Sequence, residues 1–270
     1  MEHYMTSEKI DHYLKALENE ERAAATVEKY RRALLSFAAF LSGAAFSPET
    51  IRLWKNELHE RNYAPSTINT FLAALNGFFH FCGWSDCRAR FLKIQRRLFR
   101  DNRQELTRAE YERLVAAAEA AGDRSLALPM EIICSTGIRV SEVQYITVEA
   151  AKNGKAEIAL KGKIRTILRP SKLCRKLLKF AARQKTASGA IFRAKSGTAM
   201  SRYQIWSKMK KLCERAGVDA EKVFPHNLRH LFATAFYRAY KDIVKLADVL
   251  GHSSIEMTRI YLVTSAAEHR

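Results

Sequence analysis

Apolar residues recur every three or four positions through residues 1–90, and breaks in that rhythm divide the segment into four helices. Ser7 stands where it could cap the first. Thr26 stands where it could cap the second, whose inner face carries Val27, Tyr30, Leu34, Phe37 and Leu41 before Gly43 ends it. Ser47-Pro48-Glu49 joins a cap to a first-turn proline, and Ile51, Trp54 and Leu58 follow on one face. Pro65 opens the fourth helix, with Ile68, Phe71, Leu72, Leu75, Phe78 and Phe79 along one side up to Gly83. Helical spacing assigns these aromatic rings to a core rather than to a stacking platform.

A second pattern starts at Thr107-Arg108-Ala109-Glu110, which reads as a capping box. Helical spacing runs on through Ile146. Over residues 156–169 the period drops to two: Ile158 and Leu160 alternate with Glu157 and Ala159, and Ile164, Thr166 and Leu168 alternate with Arg165, Ile167 and Arg169. That predicts a short antiparallel hairpin turning at Lys161-Gly162 and closed by Pro170, after which helices resume to the end of the chain. The expected fold class is mainly α. A small helical domain (1–95) leads through a basic linker (96–105) to a larger, mostly helical domain (106–270) with one small antiparallel β-sheet.

Composition narrows the function. With 47% hydrophobic and 27% charged residues, no apolar run of membrane-spanning length and no signal peptide at the start, the chain reads as a cytoplasmic globular protein. Its net charge of +18 is uneven: residues 1–103 carry 16 basic and 12 acidic side chains, residues 104–270 carry 30 and 16, for +4 and +14. Such a surface attracts polyanions, and nucleic acid with its rows of phosphates is the commonest large one; RNA, ribosomes and anionic lipid are the alternatives. Lys93, Arg96, Arg97, Arg100 and Arg103 cluster at the domain junction, which suits either a solvated linker or contacts with phosphates. The five cysteines are odd in number and form no C-x-x-C, so neither a zinc site nor a disulfide framework is expected.

Four segments of the second half set polar side chains among apolar ones. In Thr136-Gly137-Ile138-Arg139-Val140-Ser141-Glu142, Gly137 can end a helix, and Arg139 is either a functional cation or a structural partner of Glu142. Lys161 sits at a hairpin tip, where lysines are ordinarily solvated. In Pro225-His226-Asn227-Leu228-Arg229-His230 the proline fixes a helix entry, and His226 and Arg229 share a face near free N–H groups, an arrangement suited to phosphate. In Leu250-Gly251-His252-Ser253-Ser254-Ile255-Glu256, Ser253 and Glu256 read as another capping box, with Tyr261 nine residues after His252. Taken singly, a tyrosine between Ile260 and Leu262 is a core residue. Taken together, two arginines, a lysine, two histidines and a tyrosine are what attack on a phosphodiester needs. The arginines clamp the non-bridging oxygens, tyrosine attacks, a histidine handles its proton, and lysine protonates the departing oxygen.

In type, order and spacing these segments resemble the tyrosine recombinases and lambda-type integrases. That family shows Thr-Gly-Leu-Arg-x-Ser-Glu, similar to the segment at Arg139; Gly-Lys-Gly in a hairpin, matched by Lys161-Gly162; and His-x-Leu-Arg-His, matched by His226, Leu228, Arg229 and His230. It also shows Leu-Gly-His-Ser with a tyrosine nine residues beyond, matched by Leu250 to Ser253 and Tyr261. Leu160 replaces the family's first hairpin glycine, which makes Lys163 a second candidate for the lysine role.

The resemblance covers essentially the whole chain. It implies a SAM-like core-binding domain before a catalytic domain, clamped around double-stranded DNA, with four protomers acting on two sites. The catalytic set it implies is Arg139, Lys161, His226, Arg229, His252 and Tyr261, with Lys93, Arg96, Arg97 and Arg100 on DNA. It also implies a 3′-phosphotyrosine link that conserves bond energy, so that no cofactor, metal, ATP or small-molecule substrate is needed. The sequence agrees in lacking a G-x-x-x-x-G-K-[ST] loop. Only nine residues follow Tyr261, whereas the family usually carries a further segment that docks on a neighbouring protomer. Rival readings are a non-cleaving DNA-binding protein, disfavoured by the complete residue set, a type IB topoisomerase, disfavoured by the short chain, and a metal-dependent nuclease, disfavoured by the lack of clustered carboxylates.

Overall fold

A computed structural model describes residues 3–94, 105–160, 163–168 and 171–261. Its contacts divide the chain into two units, Met1–Arg96 and Arg97–Arg270.

The first unit has four helices: α1 (Ser7–Asn19), α2 (Ala24–Leu41), α3 (Pro48–Glu60) and α4 (Pro65–Phe81). Three of the sequence-derived boundaries differ. Thr6, not Ser7, caps α1, its hydroxyl accepting the Lys9 N–H. Thr26 falls inside the first turn of α2, which starts after Ala23 with no side-chain cap. Ser42, in the left-handed conformation at φ 49°, ends α2 one residue before Gly43. All three are shifts of one to three residues, within which hydroxyls and small residues compete for a helix end. The cap at Ser47 and the prolines at Pro48 and Pro65 stand where the sequence put them. Inside, Phe37, Trp54, Leu72, Leu75, Phe78 and Phe79 are wholly buried, with the Phe37 and Trp54 ring centres 4.9 Å apart. The predicted core face and the actual one coincide.

Two side chains of α4 extend this unit beyond its helices. Asn76 donates to the Ala89 carbonyl at 3.0 Å and accepts the Ala89 N–H at 2.8 Å. Asn69 does the same with Leu92, at 2.9 and 2.8 Å. At the other end His3 Nε2 meets the Asp86 carboxylate at 2.9 Å, and its ring lies 4.9 Å from that of Trp84. Cys87 brings its sulfur within 4.8 Å of both groups. Burial first, and Asp86 second, push that thiol up to about 11. A protonated thiol and a hydrogen-bonded carboxylate leave the trio as a clasp on the chain start.

The second unit is built around α6 (Arg124–Thr136), which is apolar on nearly every side, as a central helix must be. Leu126, Met130, Ile132 and Ile133 are all buried. Around it pack α5 (Arg108–Ala120), α8 (Ser171–Arg183), α9 (Arg202–Ala216) and α10 (Pro225–Tyr240). The Thr107–Glu110 capping box forms at the start of α5. Strands β1 (Lys155–Leu160) and β2 (Lys163–Leu168) follow the short α7 (Val148–Lys152) and pair antiparallel, Leu160 opposite Lys163. The two-residue connection Lys161-Gly162 and Pro170 lie outside the described residues.

Two expectations fail here. Gly137 ends α6, as its position suggested, but the helical spacing beyond it to Ile146 forms a 3₁₀ segment, Val140–Tyr145, rather than an α-helix. Helices also do not resume without interruption after the hairpin. Residues 184–201 form turns and isolated bridges, Thr147 to Ala190 and Arg193 to Ala199, with Gly189 and Gly197 at φ 74° and 82°. Glycines free to take left-handed backbone support these turns where a helix would have to absorb them.

Candidate active site

Gly137 sets the first corner. It ends α6 at φ 67°, and its N–H bonds the Ile133 carbonyl. The reversal leaves its own carbonyl facing α10 and starts the 3₁₀ segment at Arg139. No side chain fits at this point: a Cβ would lie 2.6 Å from Phe232 Cε1 and 2.9 Å from Leu250 Cδ2. Gly137→Ala is therefore expected to destabilise the protein by about 2–4 kcal/mol, combining a left-handed penalty with overpacking. Urea unfolding measures this, and a midpoint equal to that of the unmodified chain would contradict the steric argument.

Arg139 is held from below. Its backbone N–H donates to Glu142 Oε2 at 2.7 Å and its Nη1 to Glu142 Oε1 at 3.0 Å. The Glu142 side chain is 3% exposed and that of Arg139 41%. The structural and functional readings of Arg139 thus hold together, since a buried carboxylate fixes one edge of the guanidinium and leaves the rest facing a cleft.

Arg229 is the buried cation, only 3% exposed. Pro225 occupies the first position of α10, so Arg229 lies one turn in, on the inner face. Its Nη1 donates to the Gly137 carbonyl at 2.5 Å and its Nη2 to the Leu250 carbonyl at 2.8 Å. These carbonyls belong to the C-terminal ends of α6 and of α11 (Ile243–Leu250), the negative ends of two helix dipoles. Nη2 also lies 2.9 Å from His252 Nε2. Burial is the largest influence on its pKa and lowers it; a hydrogen bond with the Tyr261 side chain acts the other way.

Gly251, at φ 64°, ends α11 and turns the chain so that His252 reaches Arg229. The expected Ser253–Glu256 capping box does not form. The next helix, α12 (Glu256–Arg259), is a single turn that starts too late for Ser253 to cap it, and Ser254 Oγ accepts the Glu256 N–H instead. Tyr261 follows directly after this turn rather than two turns along a helix. It is 4% exposed and packs on Ala233, Leu246 and Leu250. Its ring centre lies 4.5 Å from that of His230 and 6.0 Å from that of His252.

These residues open on one cleft of about 460 Å³, lined by Arg139, Arg202, His226, Arg229, His252 and Tyr261 among others. Five of the six residues expected to be catalytic thus meet at one place. Lys161, with Arg96, Arg97 and Arg100, lies outside the described residues, and the side chain of Lys163 likewise. Lys93 is exposed and belongs to the first unit. Arg202 was not anticipated. It occupies the first position of α9, between the two partners of the Ser201–Gln204 capping box. A cation there opposes the helix dipole, and that misfit is the signal by which sequence could have found it.

Comparison with known proteins identifies the family. The phage integrase family pattern matches residues 104–268, and the phage integrase N-terminal SAM-like domain matches residues 10–85. Tyrosine recombinase XerD of Caulobacter vibrioides is 30% identical over 92% of this chain and 89% of its own. Tyrosine recombinase XerA of Pyrococcus furiosus is 28% identical over 97% and 91%. Among solved structures, a lambda integrase (75–356) dimer bound to a COC′ core site superposes with TM-score 0.77 at 18% identity, covering 97% of this chain and 95% of that one. XerH bound to difH in a pre-cleavage complex gives 0.72 at 20% identity, covering 98% and 83%. This chain belongs to the phage integrase family and is a tyrosine-type site-specific DNA recombinase.

Proposed function

We propose that Tyr261 is the nucleophile by which this recombinase cuts and rejoins double-stranded DNA. Its Oη attacks the scissile phosphorus, the bond to the 5′-oxygen breaks, and a 3′-phosphotyrosine forms beside a free 5′-hydroxyl. Arg139 and Arg229 clamp the non-bridging oxygens and offset the charge that develops on them. The tyrosine proton passes to a histidine, with His226 and His252 at hand, and Lys161 protonates the departing 5′-oxygen. A 5′-hydroxyl from the partner strand then reverses the step, so the bond energy is conserved and no ATP is spent.

The observation that carries this reading is the cleft itself. Residues far apart in sequence bring three arginines and two histidines around one buried tyrosine. A family relative, lambda integrase, has been solved as a tetramer bound to a Holliday junction, which supports a homotetramer on two sites here. The basic run Lys93, Arg96, Arg97 and Arg100 suits contacts with the DNA backbone at the junction of a core-binding domain (1–95) and a catalytic domain (106–270). No helix among the described residues is long and apolar enough to cross a membrane, in keeping with a cytoplasmic enzyme.

The test uses a duplex selected from random sequence for binding and nicked so that the cut fragment diffuses away. The protein is expected to become covalently joined to this DNA in EDTA and without ATP, as a band of retarded mobility on a denaturing gel. A tightly bound duplex that never yields an adduct would overturn the reading in favour of a non-cleaving binder.

A further inference from the structure

We infer that Thr258 is a positioning residue for strand cleavage, anchoring the Nδ1–H edge of His252 with its side chain and the seat of Tyr261 with its main chain; this rests on the recombinase reading above. Thr258 is wholly buried within α12. Its Oγ1 lies 2.8 Å from His252 Nδ1, and its carbonyl accepts the Tyr261 N–H at 3.0 Å. The histidine and the tyrosine are thereby tied to one residue that never reaches the cleft.

The chemistry of the partners gives the bonds their direction. A guanidinium can only donate, so His252 Nε2 must accept from Arg229 Nη2 at 2.9 Å. In the neutral ring the proton then sits on Nδ1, and Thr258 Oγ1 accepts it. With an apolar residue at this position Nδ1–H would lose its acceptor in a buried place. The alternative tautomer would set an Nε2–H against the guanidinium, donor against donor. When Nε2 takes a proton, its contact with Arg229 must open, and a phosphate oxygen between the two groups can accept from both. The Thr258 bond to Nδ1–H survives that change. The ring therefore stays aimed while Nε2 switches from acceptor to donor, as outer-sphere partners of functional histidines do elsewhere.

Thr258→Val removes this oxygen and leaves the backbone carbonyl in place, and Thr258→Ser restores the oxygen. The full chain labelled with ¹⁵N-histidine reports the tautomer through long-range ¹⁵N–¹H correlations, with the His252 signals assigned by their loss in His252→Asn. The unmodified chain and Thr258→Ser are expected to show the Nδ1–H tautomer with that proton protected from exchange, and Thr258→Val the same tautomer, held by Arg229, with the proton exchanging freely. On the nicked duplex, Thr258→Val should cut about 100-fold more slowly, the scale of a misaligned reacting group. Thr258→Ser should recover most of that rate, and DNA affinity should stay unchanged throughout. An Nδ1–H as well protected in Thr258→Val as in the unmodified chain, with an unaltered rate, would overturn the proposal, as would a Thr258→Ser variant as slow as Thr258→Val. The tautomer measurement needs no DNA. An unmodified chain that makes no adduct would thus count against the recombinase reading, while the spectra still judge Thr258.

Discussion

Tyr261→Phe is expected to abolish the covalent adduct outright while leaving DNA binding intact. The substitution removes one oxygen and keeps the ring, which fills a pocket against Ala233, Leu246 and Leu250 and stacks near His252. The structural loss is the hydrogen bond with Arg229, about 1.5–3 kcal/mol for a bond to a charged group. Arg229 keeps its two carbonyl partners, so the cleft should hold its shape. The chemical loss is total, because no other atom of the side chain can form the ester. Gel-shift titration and adduct formation on the nicked duplex separate the two effects. Adducts surviving in the variant would move the nucleophile elsewhere, with Tyr145, Tyr237 and Tyr240 as the residues to test, none of which lines the cleft.

The second large effect concerns the arginines. Arg139→Ala and Arg229→Ala should each slow cleavage by roughly 10³-fold or more, since each removes a preorganised donor pair from the developing charge. Their effects on stability should differ. Without Arg229, the carbonyls of Gly137 and Leu250 and the ring of His252 lose a common donor in a buried place, at about 1–3 kcal/mol for each unsatisfied group. Without Arg139, the buried Glu142 carboxylate loses one partner but keeps the backbone N–H of residue 139. Cleavage rates should therefore be read beside thermal melts at a temperature where both variants are folded. A cleavage rate close to that of the unmodified chain in either folded variant would make that arginine structural alone.

The parts of this site that sequence made legible are those whose signal is local. Proline before His226, glycine before Arg139 and the spacing from His252 to Tyr261 each survive as short strings. The four helices of the first unit were equally plain, because an apolar face repeats until its burial is complete. Arg202 and Thr258 escaped because their roles exist only after α9 and α12 have docked beside α10 and α11. Thr258 in particular looks like any small polar residue in a short helix. The Ser253–Glu256 pattern misled for the converse reason: a capping motif states a local preference, and the one-turn helix that precedes Tyr261 starts only at Glu256, whose N–H bonds Ser254 instead.

The asparagine pair on α4 sets where the first unit mechanically ends. Asn69 and Asn76 are seven residues apart, a climb of about 10.5 Å along a helix. Ala89 and Leu92 are three residues apart, about 10 Å of extended chain. The two rulers agree, so each carboxamide can offer one donor and one acceptor to a single residue, as the opposing residue in an antiparallel pair would. In effect α4 carries two rungs of a ladder whose other rail is the departing chain. A pull along the chain beyond Leu92 meets those four bonds loaded together, in shear, and is passed to α4 through Asn69 and Asn76 rather than through its last turn. The lever arm of the first unit thus reaches Leu92, and the basic run opens at the next residue, Lys93.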